Sequence, residues 1–279
     1  MGDVAFVNGR FMPLAEAMVS VEDRGFQFGD GVYEVIRTYH GDLFQLDAHV
    51  TRLEKSAKAI ALGNPYSEQQ WKGFIREGIR LGGYEESMIY LQLTRGAAPR
   101  DHTFPQAAPP TVVMTIRIMP SPQRAIYRTG VDVMTVDDFR WGRCDIKSLN
   151  LLPNVMARQR AKEADAFEAI FVRSGLISEG AVSNVMMVRG GVLMTPKEDE
   201  RILSGITRAV VLELARKEGV PIREQDISLD ELRAADEVLL TGTTIEILPV
   251  SRVDGSTIGN GKPGDVTESI SARFQDMVS

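Results

Sequence analysis

The chain has 279 residues, enough for one large domain or two of moderate size, and its 43% hydrophobic content can build a sizeable core. A formal net charge of −6 argues against nucleic acid as the main partner, and no apolar run reaches the length of a membrane span. The single cysteine excludes an intramolecular disulfide and fits a reducing compartment; residues 1–4 lack the basic-then-apolar pattern of a signal peptide, so a cytoplasmic protein is expected.

Residues 5–7 and 10–12, joined by Asn8-Gly9, carry a hairpin pattern, because Asn-Gly supplies the two positive φ angles of a tight turn. Residues 23–31 read DRGFQFGDG, and three glycines with two aromatics suit a loop with close backbone approaches. Residues 32–39, rich in β-branched and aromatic side chains, predict a strand with Tyr33, Val35 and Arg37 on one face. His40-Gly41-Asp42 turns the chain, and residues 43–46 are expected to pair back. Asp47 is the expected N-cap of a helix over 48–62 with Val50, Leu53, Ala57 and Ile60 in one stripe and Arg52 slightly off it. A second amphipathic helix is predicted over 67–81, stopped by Gly82-Gly83. Strands over 88–94 and 111–119 flank a proline-rich loop, 95–110, that holds Pro99-Arg100-Asp101-His102. Pro120-Ser121-Pro122 reads as a linker, which gives domains of 1–120 and 121–279.

The second half opens with a strand over 131–136 and the stretch around Lys147. Pro153 stands early in a helix to about residue 164. Strands are predicted over 169–173, 185–188 and 192–194, the last two joined by Arg189-Gly190-Gly191. Ser204-Gly205-Ile206-Thr207 leads into a helix ending near Gly219, and a short strand follows over 221–227. Ser228 caps a helix through residue 234. A strand over 237–240 runs into Thr241-Gly242-Thr243-Thr244, turns follow, and a last helix covers 266–277. Strands and helices mix without strict alternation, so the class is α+β rather than a doubly wound sheet.

Most lysines here stand among charged residues. Lys147 follows Ile146 and precedes Leu149, Leu151 and Leu152, with Trp141 and Cys144 upstream. An ammonium moved into apolar surroundings loses hydration, and the neutral amine becomes available as a Schiff-base nucleophile. The competing reading is a loop lysine whose stem lies over apolar surface. Glu179, in a glycine-flanked turn after a strand, could pair with a protonated heteroaromatic nitrogen or be an ordinary turn acid. Arg52, the 204–207 turn and the 241–244 strand end offer an anion site, although helix capping accounts for each turn alone. Arg100 and His102 alternate along their loop and, with Tyr33, could bind a carboxylate; the alternative is a solvated loop. His40, His49 and His102 are not spaced as metal ligands, and no Gly-x-Ser-x-Gly elbow, Walker A motif or dinucleotide fingerprint occurs.

Five motifs carry a family likeness: DRGFQFGDGVYEV (23–35), LTRGAAPRDHTFP (93–105), RWGRCDIKSLNLL (140–152), ISEGAVSN (177–184) and ILSGITR (202–208). In this order, over essentially the whole chain, the sequence resembles the class IV, or fold-type IV, pyridoxal-phosphate enzymes, and among them the D-amino-acid aminotransferases. The resemblance implies an α+β fold of two domains, a small N-terminal α/β domain and a larger barrel-like C-terminal one, with the cofactor at their interface. It implies that Lys147 holds pyridoxal 5'-phosphate as a Schiff base and moves the proton between the substrate Cα and the cofactor. Glu179 would pair with the pyridine nitrogen. Arg52 would bind the phosphate with the backbone of Ile206 and Thr207 and with Thr243, and Leu203 would pack on the ring. Tyr33, Arg100 and His102 would trap the substrate α-carboxylate. In this family the Arg and His come from the neighbouring subunit, so a homodimer is implied.

The expected reaction is transamination between a D-amino acid, such as D-alanine or D-glutamate, and a 2-oxo acid, such as 2-oxoglutarate or pyruvate. A branched-chain L-amino-acid aminotransferase or an aminodeoxychorismate lyase would share the fold, and the Arg100/His102 pair argues against both. A non-catalytic pyridoxal-phosphate-binding protein is the remaining alternative. The turn after Glu179 carries Ala181-Val182 where the resembled enzymes are richer in serine, which bears on side-chain preference.

Overall fold

The computed structural model describes residues 2–120 and 124–279. Ser121 and Pro122, part of the expected linker, lie outside them. The chain divides into two compact units, Met1–Pro120 with Ile146–Asn150, and Ser121–Asp145 with Leu151–Ser279. A boundary after residue 120 assigns Ile146–Asn150 to the second unit, yet backbone pairing ties this segment to the first. The Tyr33 N–H donates to the Lys147 carbonyl and the Leu149 N–H to the Gly31 carbonyl, both at 3.0 Å.

The first unit contains β1 (Val4–Val7), β2 (Arg10–Pro13), α1 (Arg24–Phe28), β3 (Gly31–Tyr39), β4 (Asp42–Leu43), α2 (Leu46–Ala59), α3 (Glu68–Gly82), β5 (Ser87–Thr94) and β6 (Thr111–Ile118). Its strands form one antiparallel sheet in the order β2-β1-β6-β5-β3-β4. The hairpin turn is the expected one, with Asn8 and Gly9 at φ 46° and 93°. The period of two holds from Val32 to Ile36: Val32, Glu34 and Ile36 are fully buried, while Tyr33 and Val35 on the other face are half-buried; beyond it Arg37, expected on the Tyr33 face, is buried as well. The α2 stripe of Val50, Leu53 and Ala57 is buried as expected. On α3, Ser67 and Gln70 form a reciprocal capping box and Gly83 closes the helix in the left-handed region. Gly78 lets α3 approach β6, since a Cβ there would lie 2.6 Å from Ile116 Cδ1. Phe6, Val32, Ile36, Leu53, Trp71, Ile75 and Leu91 form the core, and Ile146 joins it.

Three local expectations are corrected. DRGFQFGDG contains the short helix α1, because the Asp23 side chain accepts from the Gly25 N–H at its start and Gly29, at φ 69°, ends it. Asp47 is not an N-cap: the helix begins two residues earlier than expected, at Leu46, Gln45 occupies the cap without a side-chain bond, and Asp47 lies in the first turn. The return pairing of residues 43–46 shrinks to β4, since the chain turns into α2 at once.

The second unit contains α4 (Arg124–Thr129), β7 (Val131–Asp137), α5 (Leu152–Glu163), β8 (Glu168–Arg173), β9 (Leu176–Gly180), β10 (Asn184–Arg189), β11 (Val192–Thr195), α6 (Ile206–Lys217), β12 (Ile222–Glu224), α7 (Leu229–Arg233), β13 (Glu237–Gly242), β14 (Glu246–Val253), β15 (Ser256–Thr257) and α8 (Asp265–Val278). The sheet runs β12-β11-β10-β13-β14-β7-β8-β9, with β15 on β14. It is mixed: β7 is parallel to β8 and β14, β11 is parallel to β12, and the other pairs are antiparallel. This agrees with the α+β class. Strand β14, read from sequence only as turns, lies between β13 and β7. Its Pro249 has no N–H for a ladder, and the pairing with β7 is irregular just beyond it, between Val250 and Arg252. Helix α4 was also not expected. Glu179, expected in a turn, belongs to β9, which pairs with β8.

Candidate active site

The expected site residues fall into two groups, one in each unit. In the first unit the Lys147 backbone is clamped along β3. Its N–H donates to Ser56 Oγ at 3.3 Å, its carbonyl accepts from Tyr33, and Ser148 bridges to Val32. Gly31 is required for this approach, because a Cβ there would lie 2.8 Å from Leu149 Cδ1 and 2.6 Å from the Leu93 carbonyl oxygen. Lys147 is half-buried, and its Nζ stands 4.3 Å from the centre of the Tyr33 ring. The apolar surroundings read from sequence are therefore partly an aromatic face, while Trp141 and Leu152 are exposed. The Tyr33 ring packs 5.8 Å from Tyr90, whose hydroxyl donates to Gln92 Oε1 at 2.6 Å. Burial, aided by Tyr33, pushes Tyr90 up to about 12, so it stays a neutral donor at neutral pH.

Behind this face Arg52 meets Glu34. Arg52 Nε donates to Glu34 Oε1 at 2.6 Å and Nη2 to Oε2 at 2.8 Å, a two-pronged contact to a carboxylate with no exposure to solvent. His49 Nδ1 lies 2.8 Å from Glu34 Oε2. Burial alone would raise Glu34, but the charge and hydrogen bonds of Arg52, with His49, bring it down to about 2. Burial holds His49 below its ordinary value, against the pull of Glu34, so a neutral ring with its proton on Nδ1 fits the geometry. Arg52 is thus a fixed cation rather than a mobile surface arginine. Glu34 and His49 escaped the sequence reading, although an acid between buried Val32 and Ile36 was a visible sign of a partnered carboxylate.

In the second unit Glu179 is the centre. Arg140 Nη1 donates to its Oε1 at 2.6 Å, and Asn184 Nδ2 and the Leu203 N–H donate to its Oε2 at 3.2 and 3.0 Å. Arg140 is held by Asp138 through Nε and Nη2 at 2.9 and 3.0 Å and lies 4.2 Å over the Phe171 ring. Burial raises Asp138, but Arg140 outweighs it and keeps the carboxyl below its ordinary value. Asn184 also donates to the Leu203 carbonyl at 2.9 Å. The structure therefore gives the Leu203 backbone a part in orienting Glu179, beyond the side-chain packing expected of it. Arg140 and Asn184 lie within motifs quoted above, yet nothing in their spacing announced the contact.

Ile206 and Thr207 open α6, whose N-cap, Gly205, supplies no side-chain bond to the first turn. Gly205 must lack a side chain, because a Cβ would lie 1.8 Å from Asn184 Oδ1. In the neighbouring strand end Thr243 is half-buried, and the buried Thr241 hydroxyl has no partner among the described residues. An uncapped helix start, a close backbone approach and an orphaned hydroxyl fit a phosphate-bearing ligand. Within the same unit an acid ringed by N–H donors fits a protonated heteroaromatic nitrogen; within the first unit an amine over an aromatic face suits a carbonyl group.

Arg100 and His102 come together in the first unit. The Arg100 guanidinium carbon lies 4.4 Å from the centre of the Phe28 ring, and the His102 ring lies 5.4 Å from it. Both residues are exposed. The Ala181-Val182 departure is accommodated by a buried Ala181 and an exposed Val182, while Ser183 Oγ donates to buried Glu168 at 3.2 Å.

Residues 31–253 match the family described as amino-transferase class IV. The chain is 46% identical over 271 residues to D-alanine aminotransferase of Bacillus licheniformis, covering 97% of this chain and 95% of that protein. It is 41% identical over 276 residues to D-alanine aminotransferase of Listeria monocytogenes, with 98% and 95% covered. The crystal structure of Escherichia coli branched-chain amino acid aminotransferase aligns with a TM-score of 0.94 at 29% identity, covering 100% of this chain and 95% of that one. That of the T.th. branched-chain amino acid aminotransferase with pyridoxamine 5'-phosphate aligns with a TM-score of 0.93 at 28% identity, covering 100% and 94%. Motif order and fold agree with these matches, and the chain belongs to the class IV aminotransferases.

Proposed function

We propose that this chain is a pyridoxal-phosphate-dependent aminotransferase that moves the amino group of a D-amino acid, D-alanine or D-glutamate, to a 2-oxo acid such as 2-oxoglutarate or pyruvate. The convergence of Arg100 and His102 on Phe28 carries the D-amino-acid part of this reading. The higher identity to D-alanine aminotransferases than to branched-chain enzymes supports it.

Pyridoxal phosphate, when bound, supplies an aldehyde that accepts the amino group and a ring that takes up the electrons released when the Cα–H bond breaks. Lys147 Nζ would hold that aldehyde between turnovers and, once free, would take the proton from the Cα of the amino acid in one half-reaction and give a proton to the Cα of the 2-oxo acid in the other. Glu179, oriented by Arg140, Asn184 and the Leu203 N–H, keeps a proton on the ring nitrogen. Arg52, the Ile206 and Thr207 N–H groups and Thr243 hold the phosphate, and the Leu203 side chain packs on the ring. Glu34 holds the Arg52 guanidinium in orientation. Arg100, His102 and Tyr33 bind the substrate α-carboxylate, and fixing that group decides which enantiomer presents its Cα hydrogen to Lys147. In the same reading the protein is a cytoplasmic homodimer, with Arg100 and His102 serving the neighbouring subunit. No helix among the described residues is long and apolar enough to cross a membrane.

The test is an assay with D-alanine and 2-oxoglutarate beside one with L-leucine and 2-oxoglutarate. Pyruvate from D-alanine is expected, and turnover of L-leucine alone would overturn the assignment. Lys147→Ala is expected to lose both turnover and the visible absorbance of covalently held cofactor, so an active Lys147→Ala protein is incompatible with the mechanism.

A further inference from the structure

Arg24 is a charged residue only 3% exposed, at the start of a five-residue helix. Its Nε donates to Asp30 Oδ2 at 2.8 Å and its Nη1 to the Asp101 carbonyl at 2.5 Å. Asp30 also accepts from Arg95 Nε, at 2.9 Å on Oδ2 and 3.1 Å on Oδ1. Arg95 in turn donates to the Ala61 and Ile60 carbonyls at 2.9 and 2.8 Å, and its guanidinium stacks 3.6 Å from the centre of the Phe104 ring. Burial raises Asp30, but the hydrogen bonds and charges of Arg95 and Arg24 outweigh it and hold the carboxyl below its ordinary value. The array Arg24–Asp30–Arg95 is therefore an anion between two cations, with each guanidinium also anchored to backbone carbonyls.

Asp101 is the residue between Arg100 and His102. Its side chain turns away to accept from the Thr103 N–H and hydroxyl at 2.9 and 3.0 Å, leaving the carbonyl to Arg24. The Arg100 and His102 side chains on either side rest on one ring, Phe28, which the Arg24 guanidinium also overlies at 4.8 Å. The base of the loop is tied to the start of the same helix and to the residue before its cap: the Arg24 N–H donates to the Gly96 carbonyl at 2.9 Å and the Ala98 N–H to the Glu22 carbonyl at 3.1 Å. An exposed arginine and histidine on an irregular loop lose side-chain entropy when they bind a carboxylate. A ring that gathers both, and a buried arginine that fixes the peptide between them, reduce that loss before substrate arrives.

We propose that Arg24 and Phe28 are positioning residues of the carboxylate trap, Arg24 by holding the Asp101 carbonyl and Phe28 by gathering Arg100 and His102 on its face. This rests on the reading of Arg100 and His102 as that trap, and it holds for whichever subunit's site the trap serves. Arg24→Lys keeps the charge but loses the fork that spans Asp30 and Asp101. Phe28→Leu keeps apolar volume but removes the aromatic face on which Arg100 and His102 rest.

The experiment compares steady-state constants of Arg24→Lys, Phe28→Leu and Arg100→Ala holoenzymes with the parent. The rate at which hydroxylamine, which has no carboxylate, removes the cofactor is measured on each. For Arg24→Lys and Phe28→Leu, KM for D-alanine and for 2-oxoglutarate is expected to rise about tenfold, with kcat within about twofold and an unchanged hydroxylamine rate. If Arg24→Lys does not fold, Phe28→Leu carries the test. Unchanged KM in these variants, while Arg100→Ala raises it, would overturn the positioning role alone. So would a hydroxylamine rate that shifts in step with KM, since that marks general loosening. Unchanged KM in Arg100→Ala would overturn the trap itself, and the positioning role with it.

Discussion

At the residue scale, Glu34 is held in the first unit between Arg52 and His49. Its folded pKa of about 2, against an ordinary 4.5, makes it a depressed carboxylate. Its stabilisation is complete above pH 4.5 and is lost as pH falls towards 2, and at full strength it amounts to about 3 kcal/mol. His49 acts in the same direction: its folded value lies below the ordinary 6.5, so protonation favours the unfolded chain as pH drops below that. Glu34→Gln should cost about 3–5 kcal/mol at neutral pH, because Arg52 keeps its charge and loses its partner. The gap to the parent should narrow between pH 5 and 3 in urea unfolding, and a gap that widens in acid would refute the assignment. Gly205 makes a second residue-scale case. A Cβ 1.8 Å from Asn184 Oδ1 must push that amide off Glu179 and the Leu203 carbonyl. Gly205→Ala should therefore lower stability by about 1–3 kcal/mol, read from thermal unfolding.

At the element scale, the helices that read clearly from sequence are those whose ends are set by near neighbours. Ser67 with Gln70 and Ser228 with Glu231 form capping boxes three residues apart, so a short window of sequence contains the whole motif. Ser67→Ala should cost about 1 kcal/mol in denaturant unfolding, and no loss would mean that the packing of Trp71 and Ile75 alone holds the start of α3. Strand β14 shows the opposite situation. A proline inside eight residues argues against a central strand by local rules, and only pairing with β13 and β7 makes it one. Helix α1 lies between these cases: Asp23 and Gly29 are both visible signals, but three glycines in nine residues outweigh them until the contacts with Thr94 and Gly96 are seen.

At the scale of the whole molecule, the proposed homodimer has a direct consequence. If Arg100 and His102 serve the neighbouring subunit, Lys147→Ala and Arg100→Ala chains should complement each other when co-expressed. Random pairing makes half of the dimers hybrids, each with one intact site, so roughly a quarter of parental activity should return at low substrate concentration. No recovery in hybrids isolated with two different tags would place the trap and the lysine of each site on one chain. The match to class IV aminotransferases over residues 31–253 sets the chemistry to be assayed, and the hybrid experiment sets which chains supply it.

The amino-acid order alone determined the hairpin at Asn8-Gly9, the capped helix α3, the α+β mixture and, through five separated motifs, the family. Each of these depends on residues close together in the chain, or on a pattern long enough to be distinctive. Folding decided the partners. Glu34 finds Arg52 across 18 positions, and Glu179 finds Leu203 across 24 and Arg140 across 39. No local preference encodes such pairs: a buried carboxylate must be matched by donors, but which distant donors reach it depends on how sheets and helices bring their side chains together.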